Sequence, residues 1–274
     1  MEHASLPAML GNDMDDTQIQ ILRRLSAMEV ERGIKIPLAV ESGSRAWGFA
    51  SPDSDYDCRF VYVKPKDSYL SVFEGKDTID LTPDAVFDLG GWDVKKAVAL
   101  LVKSNAVILE WLSSGMVYIK DERFWQTLWR VGRAFFNPVA VSWHYLSMAR
   151  NKLAEIELAD CAKIKKYFYV MRPLACVRFI ETRGIIPHME YRKNLAEIDV
   201  PPAILERIEL LMRQKETALE GDMIPQDKIL VDFFRTECAS VENRLSALHH
   251  EKNRNYEQAD KAFREILEMV RPNE

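Results

Sequence analysis

A chain of 274 residues has room for one large domain or two small ones with a real core. Its 47% hydrophobic and 29% charged residues fit an ordinary globular protein, and a net charge of −5 excludes a global pull toward nucleic acid, so any RNA contact has to be local. Four widely spaced cysteines (Cys58, Cys161, Cys176, Cys238), none in C-x-x-C spacing, exclude a zinc or disulfide framework and suit a reducing cytoplasm.

Residues 1–14 are polar and lack periodicity, so a loose leader is expected rather than a basic-then-apolar signal. From Thr17 the spacing of Ile19, Ile21-Leu22, Leu25 and Met28 predicts an amphipathic helix closed by Gly33. Residues 34–40 read as a first strand, with Pro37 suggesting an edge or a strand entry. A short helix is expected over 46–50, a turn over 51–54, and a second strand over 58–63 entered through Asp55-Tyr56-Asp57. One helical turn within 67–72, short strands at 78–81 and 85–89 about a turn at 82–84, and a break at Gly90-Gly91 follow. Asp93 then opens a helix whose buried face is Val94, Ala97-Val98 and Leu100-Leu101; Asn105 closes it, and 108–112 continues as another helical piece. From Asp121 onward helix signals dominate, punctuated by prolines including Pro138, Pro173 and Pro225, with two more helices in 227–270. No apolar run approaches the ~18 residues of a membrane span, so a soluble cytoplasmic protein is expected.

The chemistry concentrates between Val40 and Val63. Strand alternation puts Asp55, Asp57, Arg59, Val61 and Val63 on one face, and Tyr56, Cys58, Phe60 and Tyr62 on the other. Two carboxylates side by side repel unless a cation or proton lies between them. Hard divalent ions such as Mg²⁺ take oxygen ligands, commonly one or two carboxylates plus substrate phosphates. Ten residues upstream of Asp55, Gly43-Ser44 offers backbone N–H groups and a hydroxyl to a phosphate. Either half alone is common turn chemistry; together they point to phosphoryl or nucleotidyl transfer.

Gly43-Ser44, the spacer and Asp55-x-Asp57 resemble the signature of the DNA polymerase beta-like nucleotidyltransferase superfamily. The longer string Glu41-Ser42-Gly43-Ser44-Arg45-Ala46-Trp47-Gly48, then Ser51-Pro52-Asp53-Ser54-Asp55-Tyr56-Asp57, is similar to its predicted-nucleotidyltransferase branch associated with RNA-ligase repair systems. The similarity continues at Gly91-Trp92-Asp93, Lys103-Ser104-Asn105, Leu109-Glu110-Trp111-Leu112, Lys165-Lys166-Tyr167-Phe168-Tyr169 and Arg172-Pro173-Leu174, covering most of the chain.

The resemblance implies an α+β protein: a nucleotidyltransferase catalytic domain with a mixed sheet over 1–118, then a helical clamping domain over 119–274. The composition shift near 117–121 marks the same boundary. The resemblance also implies a third carboxylate on a later strand. Asp88, between Phe87 and Leu89, is the first choice; Asp80 has the same strand context, Asp93 reads as a helix cap, and Glu110 is the remaining acid. Asp55, Asp57 and Asp88 would then be catalytic and metal-binding, with Mg²⁺ or Mn²⁺ as cofactor in a two-metal arrangement. Nucleotide binding is expected at Gly43, Ser44 and Arg45, although an exposed surface role for Arg45 weighs equally.

Across the cleft, a polar stripe in 162–180 carries Lys165, Tyr169 and Arg172 at i, i+4 and i+7, beside an apolar face of Phe168, Met171, Ala175 and Phe179. It reads either as a positive wall against the triphosphate, with Lys166 the neighbouring alternative, or as a stripe facing water. His144, His249 and His250 read as packed or exposed residues, and Trp47, Trp92 and Trp111 as core, with lining of the nucleotide pocket the alternative for Trp47 just behind Ser44. The expected activity moves a nucleoside monophosphate from an NTP, ATP by default, to an acceptor hydroxyl. The acceptor is open among an RNA 3′-end, a protein hydroxyl and a small molecule. The alternative is a nucleotide-binding sensor without catalysis that works through partner binding.

Overall fold

The computed structural model describes residues 16–73, 75–81, 86–249, 251 and 253–271. The leader expected over 1–14, the turn expected over 82–84 and His250 lie outside them. The fold is α+β. Helix α1 (Asp16–Arg32) leads into β1 (Lys35–Glu41), α2 (Ser44–Trp47), β2 (Tyr56–Val63), a 3₁₀ turn (Lys66–Tyr69), β3 (Thr78–Asp80) and β4 (Phe87–Asp93). Then come α3 (Val94–Val102), α4 (Ala106–Ser113) and β5 (Val117–Lys120). The rest is helical: α5 (Glu122–Phe135), α6 (Pro138–Glu157), α7 (Ile164–Arg183), α8 (Tyr191–Leu195), α9 (Pro202–Thr217), α10 (Lys228–Ser246) and α11 (Tyr256–Met269). A small antiparallel pair, β6 (Cys161–Lys163) with β7 (Met223–Pro225), interrupts it; no strand pattern in the sequence points to this pair.

The sheet order is β3-β4-β2-β1-β5, with β2 and β4 parallel and the other pairs antiparallel. Alternation along β2 divides the protein as the sequence predicts. Cys58, Phe60 and Tyr62 pack with Ile36 and Ala39 of β1 against Ile21, Leu25 and Met28, the i, i+4, i+7 stripe of α1. Val61 and Val63 pack with Leu38 and Val40 into a second core built with α3–α11. That second core runs without a break from the sheet into the helices. Strand β5 contains residue 118, so the boundary expected at 118/119 falls within a sheet strand.

Five local expectations are corrected. Pro37 lies in a strand flanked on both sides, not at an edge; the register shifts between Lys35 and Leu38, and that irregularity accommodates a residue with no N–H. Gly90-Gly91 does not break the chain, because β4 runs through both in register with Arg59 and Phe60. Gly91 is there for packing: a Cβ would occupy the space of the Phe60 ring. Asn105 does not close α3. It caps α4, accepting from the N–H groups of Val107 (3.0 Å) and Ile108 (3.3 Å), and the chain turns one residue earlier, at Ser104 with φ +55°. Likewise Pro173 sits inside α7 without ending it, and the short helix begins at Ser44 rather than Ala46. Asp93 caps α3 as expected, accepting from Lys95 N–H at 2.8 Å, and Trp92 and Trp111 stack with centroids 4.1 Å apart.

Gly91→Ala forces the Phe60 ring to move in a close-packed layer, and should cost about 1–3 kcal/mol in chemical denaturation. Gly115→Ala, with open space at its Cβ and no positive φ, should leave the midpoint unchanged. Equal midpoints for the two variants would remove the packing account of Gly91.

Candidate active site

The parallel register of β2 and β4 sets Asp57 directly beside Asp88. Asp55, two residues before Asp57, is exposed at the mouth of the strand. Arg59, two residues after it, lies on the same face and bridges the pair: its Nη2 donates to Asp88 Oδ2 at 2.7 Å and to Asp57 Oδ1 at 3.3 Å, while Nη1 donates to the Asp88 carbonyl at 2.9 Å. Even so, Asp57 is held protonated to about pH 6. Burial is the first cause and the charge of Asp55 the second, with Asp88 and Glu220 adding to it and Arg59 opposing. Asp80, on the edge strand β3 opposite Gly90, lies one row along on the same face, its Oδ1 and the Arg59 guanidinium both reaching the space over Gly90.

Two features fix Asp57. Gly43, at φ +92°, has no Cβ, and one built there would overlap the Asp57 carboxylate. Glu41, fully buried, accepts the Asp57 backbone N–H at 2.9 Å and the hydroxyl of Tyr118. Burial pushes the Glu41 carboxyl up to about 7, against both hydrogen bonds. The resembled string begins at Glu41, yet its spacing alone does not mark it as part of the site. Arg59, placed on the carboxylate face by alternation, is a further site residue that the motif does not name.

The turn before the carboxylates is braced throughout. Ser44 Oγ lies 3.1 Å from Ser54 Oγ, which also accepts the Ser51 N–H at 2.9 Å and lies 3.3 Å from Glu220 Oε1. Arg45 is committed to this loop: its Nη2 and Nε donate to the carbonyls of Ser54 (2.6 Å) and Asp55 (3.1 Å), and the guanidinium stacks 3.8 Å from the Tyr56 ring. Its charge thus shapes the loop from which Asp55 and Asp57 emerge.

Helix α7 forms the opposite wall, and its stripe divides. Lys165 and Tyr169 are half-buried and gather at the carboxylates: Tyr169 is raised by burial, with Lys165, Glu220, Asp57 and Asp55 all acting on it. Lys165 is paired with Glu220, and Lys166 turns to Glu155 at 3.1 Å. Arg172 does not face the cleft. It is 1% exposed, bonded to Glu110 at 2.6 Å, and lies 4.2 Å under the ring of Trp47; Tyr145 donates to the same Glu110 oxygen at 2.8 Å. Neither a water-facing stripe nor a direct phosphate contact describes it. Glu110 is likewise committed to that buried pair. Trp47 carries the arrangement to the cleft, meeting Tyr169 edge to face with centroids 5.6 Å apart.

The donor set suits a hard divalent ion, being oxygen only and anionic. Among the described residues no three acidic, His or Cys side chains close on one point, and Asp88 is engaged by Arg59. The fit is therefore to an ion shared by Asp55 and Asp57 with oxygens brought by a ligand. Lys215 and Glu220, which no sequence motif marks, complete the rim: Lys215 is buried and donates to Ser51 Oγ at 2.5 Å, and the Glu220 N–H meets both Asp53 oxygens at 3.1 Å. Only their fold position, at the end of α9 and just after it, brings them here.

A carboxyl raised in the fold favours the folded state below its unfolded pKa and loses that contribution as pH rises through the folded one. In metal-free buffer, stability should fall between about pH 4 and pH 7 in the wild type, the last part through Glu41, and less steeply below about pH 6 in Asp57→Asn. The variant should be up to ~2 kcal/mol more stable at pH 8. Thermal unfolding across that range checks this, and parallel curves would refute it. Arg172→Ala strands Glu110 in the core and should cost about 3–5 kcal/mol in denaturant titrations. A loss under about 1 kcal/mol would mean that the pair is not buried as described.

The protein YcgL of Bacillus subtilis (strain 168), described as uncharacterized, is 37% identical over 233 residues, which cover 85% of this chain and 90% of that one. A crystal structure of a nucleotidyltransferase-like protein from Exiguobacterium sibiricum 255-15 aligns with 93% of this chain and 80% of its own, at 11% identity and a TM-score of 0.28. Residues 17–265 match the RNA repair pathway DNA polymerase beta family, RlaP, and the match takes in the Ser44 turn, all three aspartates and the α7 wall; the chain belongs to that family.

Proposed function

We propose that the chain is a nucleotidyltransferase that moves a nucleoside monophosphate from an NTP to an acceptor hydroxyl, releasing pyrophosphate. The observation that carries this reading is the side-by-side register of Asp57 and Asp88, with Asp55 on the same face and the Ser44 turn packed against Asp57 through Gly43. Mg²⁺ or Mn²⁺ held by Asp55 and Asp57 supplies charge neutralisation at the phosphates. Asp88 is the third acid. Its carboxylate, relieved of Arg59, receives the proton of the acceptor hydroxyl or joins Asp55 and Asp57 as a ligand.

Gly43 and Ser44 present backbone amide and hydroxyl groups to the outer phosphates, and Lys165 faces them from α7 with Tyr169 beside it. Arg45 holds the loop that carries the carboxylates. Arg172 supports Trp47 from below as a positioning residue. The sheet and the helical part thus form the two walls of one cleft. ATP is the default donor. The family's connection with RNA repair favours an RNA 3′-end as acceptor, held by local contacts because the chain carries a net charge of −5. A protein hydroxyl or a small molecule are the other acceptor classes. Among the described residues no helix is long and apolar enough to cross a membrane.

The test combines purified protein, Mg²⁺ and each α-³²P-labelled NTP with cell extract separated into RNA, protein and small-molecule fractions. Label should enter the RNA fraction and fall to background with Asp55→Ala or Asp57→Ala. Label in another fraction would keep the reaction and replace the acceptor. Metal-dependent nucleotide binding with no transfer into any fraction would overturn the enzyme reading in favour of a sensor.

A further inference from the structure

The phosphate cradle already holds a carboxylate. A carboxylate accepts hydrogen bonds and cannot donate, so Ser54 must direct its one O–H at Glu220 Oε1, 3.3 Å away. Ser44 Oγ, 3.1 Å from the same Ser54 oxygen, must then spend its own O–H on Ser54. Lys165, the cation of the α7 wall, closes the chain by pairing with Glu220 Oε2. Every side-chain donor assigned to the outer phosphates therefore points, directly or through one hydroxyl, at Glu220.

The chain around Glu220 is latched in place. Its N–H meets both oxygens of Asp53 at 3.1 Å, and one turn earlier the buried Lys215 ammonium donates to Ser51 Oγ at 2.5 Å. Leu219 and Asp222 close a tight turn around it, Leu219 N–H donating to Asp222 Oδ2 at 2.9 Å. The turn from Ser51 to Ser54 is thereby tied to the segment between α9 and β7. Glu220 remains about 28% exposed at its side chain, enough for a ligand to reach it.

We propose that Glu220 is a resident occupant of the phosphate cradle, a carboxylate that the outer phosphates of a nucleoside triphosphate displace, and so a determinant of which phosphorylated ligands the site accepts. This rests on the nucleotidyltransferase reading. Displacement frees Ser44, Ser54 and Lys165 together; Lys165 exchanges one anionic partner for another, and the partly exposed Glu220 carboxylate turns to solvent. A ligand that ends at its α-phosphate or carries none leaves Glu220 where it is and forgoes those three donors.

Calorimetric titration of the full chain with tripolyphosphate, ATP and adenosine in Mg²⁺ tests this. Glu220→Gln keeps the size and the Ser54 contact but loses the charge paired with Lys165. Relief of a partly exposed ion pair should tighten tripolyphosphate and ATP binding by roughly fivefold and leave adenosine unchanged. Asp53→Asn frees the latch while leaving the Glu220–Lys165 pair, and should give a smaller gain for the same two ligands; it decides the matter if Glu220→Gln does not fold. Lys165→Ala should weaken both. Unchanged or weaker binding of ATP by Glu220→Gln, in a protein whose wild type binds ATP, would overturn the inference alone and make Glu220 a supporting member of the cradle. Failure of wild type and variants alike to bind tripolyphosphate or ATP would overturn the nucleotidyltransferase reading with it.

Discussion

Asp57 lies against the backbone of Gly43, where a φ of +92° and the missing Cβ leave room for a carboxylate. That close approach orders the rest of the cleft. It requires the chain to leave β1 in a conformation that L side chains rarely adopt, which sends Ser44 back across the end of β2. It also takes Asp57 out of water beside Asp55 and Asp88, so that the ordinary ionised state of the carboxyl is disfavoured. Glu41 secures the same point from β1. Where β1 turns away from its partner, the Glu41 carboxylate accepts the Asp57 N–H in place of a strand carbonyl.

The helical part is bound to this sheet by more than apolar contact. Leu38, Val40, Val61 and Val63 share one core with α5–α7. At the cleft end of that core Arg172 and Glu110 form a desolvated ion pair directly beneath Trp47. Such a pair contributes little net stability compared with apolar residues of the same volume, yet loss of either partner leaves an uncompensated charge in the core. Its value here is geometric. It sets where Trp47 lies, and with it Tyr169, at the back of the Ser44 turn.

Alternation and spacing are enough to read the carboxylate face from the sequence. Asp55, Asp57 and Arg59 need only the period of two, and α1 only the stripe of Ile21, Leu25 and Met28. Gly91 misleads because a glycine pair signals a turn, whereas here the small residue admits the Phe60 ring, a neighbour set by strand pairing. Arg172 misleads for a related reason: the i, i+7 position fixes a helix face, but whether that face meets water or a buried Glu110 depends on how α4 and α7 pack. Glu220 and Lys215 lie 166 and 164 residues along the chain from the Ser54 and Ser51 hydroxyls they touch, and no local pattern encodes such a contact.

The cleft is a set of charges already paired with one another. Arg59 lies between Asp57 and Asp88, and Lys165 is paired with Glu220. A ligand entering it therefore exchanges partners, and its net affinity is the difference between new and old pairs. In the function proposed above, a polyphosphate with a divalent ion would bring both signs of charge at once: the cation to Asp55 and Asp57, the second of which Arg59 touches now, and the phosphates to the donors that Glu220 holds now. A lone anion or a lone cation completes only half of that exchange and meets the other half as repulsion. If the proposed nucleotidyl transfer holds, preference for a metal-bound triphosphate would come from how the cleft balances its own charges, with no contact to the base required.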